Sequence, residues 1–205
     1  SDLLRAKQTA EIVANHLKTE HYHQNCTPAD LLDALPDIAQ INDEPFADAS
    51  VIPTHLLSKF TAQNVTVALG GDGGDELLAG YPTFQALKVA KLIRHLPSAG
   101  ILALRKLAEL LPVSFDNFSL DFKLKRLLSG YDYKTEIQNQ IWLGSFTPAE
   151  NKTLLAAGIV VEINPDNGFS ELEFLLSKVK NESLENRLVY LYLKQYLVDD
   201  ILFKA

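Results

Sequence analysis

Asp72, Asp75 and Glu76 place three carboxylates within five residues, and Gly70, Gly71, Gly73 and Gly74 are threaded through them. Carboxylates so close repel one another and together favour a cation. Glycine lets a backbone amide come close to a ligand. Hard oxygen donors beside such a backbone suit Mg²⁺ carrying a polyphosphate. A Walker loop is excluded, because no Lys and no Ser or Thr follows these glycines. The dinucleotide fingerprint fails because Glu76 stands where the third glycine after Gly71 and Gly73 belongs. A calcium loop needs alternating oxygen ligands, and Asp72-Gly-Gly-Asp75-Glu76 does not alternate. The same residues also fit a plain strand-to-helix turn. Asp75 would then cap the helix begun by Leu77 and Leu78, and Glu76 would favour its positive end. Capping and metal binding are compatible.

Such a turn needs elements to present it. Val65–Leu69 is short, β-branched and turn-bounded, which predicts a strand. In open α/β sheets, ligands bind beyond the carboxyl ends of the strands, where Gly70–Glu76 would lie. Glu20–Asn25 predicts a second extended segment. Apolar periodicity predicts a helix over 3–18. Thr27 as cap, Pro28 in the first turn and Asp30 at the positive end predict another to about Gln40. A polar loop with Pro45 follows, then a helix from Ser50 or Pro53 to Ala62. Beyond residue 80, helical periodicity recurs over 83–96, 100–111, 119–129, 133–143, 148–156, 170–180 and 183–203. Pro97, Pro112, Gly130, Gly144, Gly158 and the stretch 164–168 separate these helices. The chain therefore divides near residue 80, into an α/β piece and an all-helical piece. Two strands alone make no stable sheet, so the sequence reads as the later part of a domain that begins elsewhere.

The run "DEPFADASVIPTHLLSKFTAQNVTVALGGDGGDELLAGYPTF", residues 43–84, closely resembles the synthetase domain of glutamine-dependent asparagine synthetases. That family carries a "DEP" loop, a helix, a strand and then "SGDGGDE(L/V)(F)(A/G)GY". The ending "YLYLKQYLVDDILFKA" is similar to the helix that runs into its "KADR" stretch. The resemblance implies an α/β fold of the adenine-nucleotide α-hydrolase-like (ATP-pyrophosphatase, PP-loop) type. A partial parallel sheet would occupy residues 1–80, and the helical part of the synthetase domain would occupy 81–205. It implies ATP and Mg²⁺ as cofactors, adenylation of the aspartate side chain, and attack by ammonia from a glutaminase domain that the chain lacks. The products would be asparagine, AMP and pyrophosphate.

Residue by residue, the resemblance implies that Asp75 binds magnesium and that Asp72 is an acidic active-site residue. Tyr81 would lie near the acceptor substrate. Gly71, Gly73 and Gly74 match the close-approach glycines, and Asp43 and Glu44 match the cleft-lining "DEP" loop. Lys204 matches the lysine of "KADR", and Asp199 belongs to a pair beside the family's cleft. Gly70 departs from the usual Ser. The pyrophosphate loop "SGGxDS" does not occur in the sequence, so the 205-residue chain by itself is expected to be inactive and to bind ATP poorly.

Composition narrows the alternatives. With 205 residues, 47% of them hydrophobic, the chain is long enough for a real core. A net charge of -7 argues against a nucleic-acid partner, which needs clustered Lys and Arg. The apolar stretch Leu92–Val113 holds Arg94, His95, Arg105, Lys106 and Glu109, together with Pro97 and Gly100. It reads as two amphipathic helices and not as a membrane span. Cys26 is the sole cysteine, expected half-buried near a strand end and in keeping with a cytoplasmic protein. His16, His21 and His23 fall short of a zinc set. Trp142, Phe146, Tyr190, Tyr192 and Tyr196 are expected to pack the helical piece. A truncated sheet would leave an apolar edge, a route to homo-oligomers. Two other functions fit these residues: amidation of a different carboxylate acceptor, such as a sugar acid or peptide, and a non-catalytic helical interaction module.

Overall fold

A computed structural model of the chain describes residues 2–114, 119–144, 146–163 and 168–204. Two compact units are formed. The first takes the chain up to Gly70 together with Lys204, and the second takes Gly71–Phe203.

The first unit holds α1 (Asp2–Leu17), α2 (Pro28–Ile41) and α3 (Val51–Thr61). At the start of α2, Thr27 Oγ1 accepts from the Asp30 amide at 3.3 Å. The Asp30 carboxylate in turn takes the Thr27 amide at 2.7 Å. Both are donors that a helix end otherwise leaves unmet. Helices α2 and α3 pack together, and His55 and Lys59 each lie 3.7 Å from the Asp37 carboxylate.

The second unit holds nine α-helices among its described residues. They are α4 (Gly74–Leu78), α5 (Pro82–Ile93), α6 (Ser98–Leu110), α7 (Leu120–Leu128), α8 (Thr135–Leu143), α9 (Pro148–Leu154), α10 (Ala157–Ile163), α11 (Ser170–Lys178) and α12 (Leu184–Leu191). A π-helical segment, Tyr192–Ile201, continues α12 without a break. Thr147 and Glu150 repeat the reciprocal cap of α2 at the start of α9. The core gathers Phe84, Leu87 and Ala90 of α5, Trp142 of α8, Leu172 of α11, Leu188 and Leu191 of α12, and Tyr192. Leu188 and Leu191 are fully buried, each contributing about 2 kcal/mol. Polar pins run through this core: Thr83 and Tyr192 share a hydroxyl hydrogen bond of 2.6 Å, and Arg187 meets Glu136 at 2.7 Å.

The expected partial parallel sheet is not present. Among the described residues no β-strand forms, in 1–80 or elsewhere, and the fold is helical. The segment 65–69 has no strand pairing and bends at Thr66, and it exposes Val65, Val67 and Leu69 to solvent. Residues 21–25 are likewise unpaired and exposed. A strand is stabilised by ladder bonds to a neighbour, and neither segment has one. Cys26 is exposed, not half-buried, because no sheet covers it. Phe146 is exposed too, outside the core that buries Trp142 and Tyr192. Of the expected breaker over 164–168, only Gly168 lies within the described residues. Among those residues, no helix is long and apolar enough to cross a membrane.

Candidate functional site

The acidic turn is built on two left-handed residues. Gly73 has φ +89° and ψ -11° and stands at the head of α4. Ala79, at its end, has φ 54° and ψ 41°. The Leu77 amide returns to the Gly73 carbonyl at 3.0 Å, and the Gly80 amide to the Asp75 carbonyl at 2.9 Å. A helix of little more than one turn is thus closed at both ends. The Asp75 carboxylate folds back over Gly80. A β-carbon placed there would sit 2.1 Å from Asp75 Oδ1, so a side chain at position 80 would displace that carboxylate. Gly71 and Gly74 differ: their backbone angles are ordinary, and an added β-carbon would meet open space. The fold does not require glycine at either place.

The three carboxylates part company on this turn. Asp72 and Asp75 are exposed, whereas Glu76 is only 2% exposed. The Tyr81 hydroxyl donates to Glu76 Oε1. Burial pushes the Tyr81 phenol far above its usual range, and the hydrogen bond to Glu76 adds to the rise. Tyr81 stacks on Tyr192 with ring centroids 5.4 Å apart and meets Tyr196 edge-on at 5.6 Å. Burial also pushes the Tyr192 phenol up to about 12. Leu197 lies 3.7 Å from the β-carbon position of Gly73. The π-helical segment therefore backs the turn at Gly73, α4 and Tyr81, a winding that recurs at functional sites. Residue types in the sequence left Glu76 as a helix-end charge. Its burial is the signal missed there, and the Glu76-x₄-Tyr81 spacing, which spans one short helix, is the trace it leaves.

No group of three or more His, Cys, Asp or Glu side chains among the described residues is arranged to hold a metal ion. The turn suits a different mode. Mg²⁺ in nucleotide sites is held by one or two carboxylates plus phosphate oxygens, and Asp72 and Asp75 offer two accessible carboxylates of that kind. An apolar groove of about 430 Å³, bounded by Pro82, Ala86, Val89, Phe122 and Trp142, also opens on this unit and includes no residue of the turn.

Asp43, Glu44 and Lys204 lie in the first unit. Asp43 and Glu44 are exposed on the loop between α2 and α3. Lys204 meets the Asp48 carboxylate and is nearly buried. Burial raises the pKa of Asp48, but hydrogen bonds from Lys204 and Ser50 outweigh it and hold the carboxyl below the usual range. Asp199 is exposed in the second unit. His21 and His23 are exposed, with ring centroids 6.2 Å apart.

The profile of the asparagine synthase family matches residues 7–204, nearly the whole chain. The chain belongs to the asparagine synthase family. It is 38% identical over 106 residues to a putative glutamine-hydrolysing asparagine synthetase 2 of Methanocaldococcus jannaschii, covering 52% of this chain and 20% of that protein. It is 32% identical over 115 residues to the glutamine-hydrolysing asparagine synthetase 1 of Bacillus subtilis, covering 56% and 18%. Against asparagine synthetase B of Escherichia coli it is 34% identical over 101 residues, covering 47% and 18%. The aligned part thus spans about a fifth of each relative's length. No solved structure is significantly similar to the chain.

Proposed function

We propose that this chain supplies part of the amide-forming site of an ATP-dependent ligase of the asparagine synthetase type. An aspartate side-chain oxygen attacks the α-phosphorus of ATP, and the bond to pyrophosphate breaks. Ammonia then attacks the acyl carbon, the bond to AMP breaks, and the nitrogen loses a proton. When bound, Mg²⁺ offsets phosphate charge. Asp75, with Asp72, is the residue to hold it, and both present accessible carboxylate oxygens. Gly71 and Gly74 keep side chains away from an approaching phosphate. Glu76 keeps a buried carboxylate beside the turn, fixed by Tyr81.

The observation that carries this reading is the glycines at positions where the fold does not call for them, on an acidic turn in a chain of this family. The test uses the parent protein that contains this chain, assayed for aspartate-dependent pyrophosphate release. Asp75→Ala should lower turnover on the order of 100-fold or more, because metal charge stabilisation amounts to several kcal/mol. Its melting temperature should stay put, since the side chain is exposed. Undiminished turnover in that variant would remove Asp75 from the site.

A further inference from the structure

We infer that Lys204 is a positioning residue, one that fixes the loop carrying Asp43 and Glu44 by clasping Asp48 and that does not itself meet a substrate. The Lys204 side chain is 8% exposed, and its ammonium contacts the Asp48 carboxylate. A lysine that served a phosphate or carboxylate ligand would need that ammonium open, and here Asp48 occupies it. The same carboxylate takes the Ser50 amide at 2.8 Å and the Ser50 hydroxyl at 2.6 Å. Three donors therefore converge on one acidic group, and the cation among them comes from 156 residues away.

Ser50 passes this anchorage on to α3. Its carbonyl accepts from the Thr54 hydroxyl at 2.9 Å and the Thr54 amide at 3.1 Å. The Val51 amide returns to the Asp48 carbonyl at 3.2 Å. The chain segment leaving α2 at Asn42 thus reaches a fixed point at Asp48. Glu44 and Asp43 stand only four and five positions before that point, so their range is set by the clasp. Removing one member of a buried ion pair leaves the other charge without compensation. A lysine truncation should therefore act on the loop and not only on Lys204. What the loop's carboxylates do for catalysis rests on the reading proposed above, but the clasp does not.

The test pairs amide hydrogen exchange on the 205-residue chain with kinetics in the parent protein. Lys204→Met and Asp48→Ala should each speed exchange of residues 42–50 about tenfold, the scale of a lost hydrogen bond to a charged group. Exchange in α5 and α12 should not change. The double variant should be no faster than either single variant, and Lys204→Arg should restore most of the protection. In the parent protein, the losses in kcat/KM from Lys204→Met and Asp48→Ala should likewise fail to multiply. Unchanged loop exchange in Lys204→Met, multiplying losses in the double variant, or no rescue by arginine would each overturn the clasp. A parent protein without ligase activity would strike the reaction and leave the exchange result to decide the clasp.

Discussion

Glu76 and Asp75 are neighbours of the same charge with opposite surroundings. A carboxylate as covered as Glu76 is costly unless it is hydrogen-bonded, and the Tyr81 hydroxyl meets that need. Tyr81→Phe removes the donor and leaves the ring stack on Tyr192 intact. The expected cost is about 1–3 kcal/mol, the penalty of an unmet buried acceptor. It should be read as a lower urea midpoint at constant slope. Glu76→Gln in the Tyr81→Phe background should recover part of that loss, because a neutral amide is cheaper to bury. A Tyr81→Phe variant as stable as its parent would mean that water already satisfies Glu76 and that the pairing is incidental.

Helix α4 is too short to persist by itself, since helix nucleation is unfavourable. Its hold comes from the left-handed entry at Gly73 and from the π-helical segment behind it. Gly73→Ala puts a β-carbon on a residue at φ +89°, costing roughly 1–2 kcal/mol in backbone strain. Gly71→Ala serves as the contrast. With ordinary angles and open space around it, it should shift stability by less than about 0.5 kcal/mol. Under the proposed function it should still raise the KM for ATP in the parent protein. Melting curves and kinetics on the two variants separate a glycine that the fold requires from one that a ligand requires. Equal effects of both substitutions on stability would erase that distinction.

Stability as a whole should depend on acid. Asp48 titrates below its ordinary range although burial acts against it, because Lys204 and Ser50 donate to it. Backbone and hydroxyl hydrogen bonds from Thr147 lower Glu150 as well. A carboxyl with a depressed folded pKa binds its proton more readily once unfolded, so the stability it lends is present above the unfolded value of about 4. That stability drains away as pH falls through the lower, folded value. Urea unfolding should therefore show a flat free energy near neutrality and a decline beginning below about pH 5. Asp48→Ala should flatten part of that decline. A stability that rose on acidification would contradict the assignment of these carboxylates as stabilising anions.

Local patterns were enough to read the helices. The apolar period of 3.6, the Thr-Pro-Ala-acid starts at 27 and 147, and most of the proline and glycine breaks are properties of neighbouring residues, and the helices they predicted formed near the expected bounds. Gly158 is the exception, lying inside α10, where a break and no helix was expected. The glycine and carboxylate turn was legible for the same reason. What residue order could not provide was partnership. Val65–Leu69 has the composition of a strand, but a strand exists only against another one, and none of the described chain lies beside it in a ladder. Nor does composition tell which of two adjacent acids faces inward, because the buried side of α4 is set by Tyr81 and the π-helical segment packed on it. The contact of Lys204 with Asp48 bridges 156 residues, far beyond any periodic signal. Short-range chemistry thus named the turn, and long-range packing chose which of its groups are covered, which are open, and what holds the loop of the other unit in place.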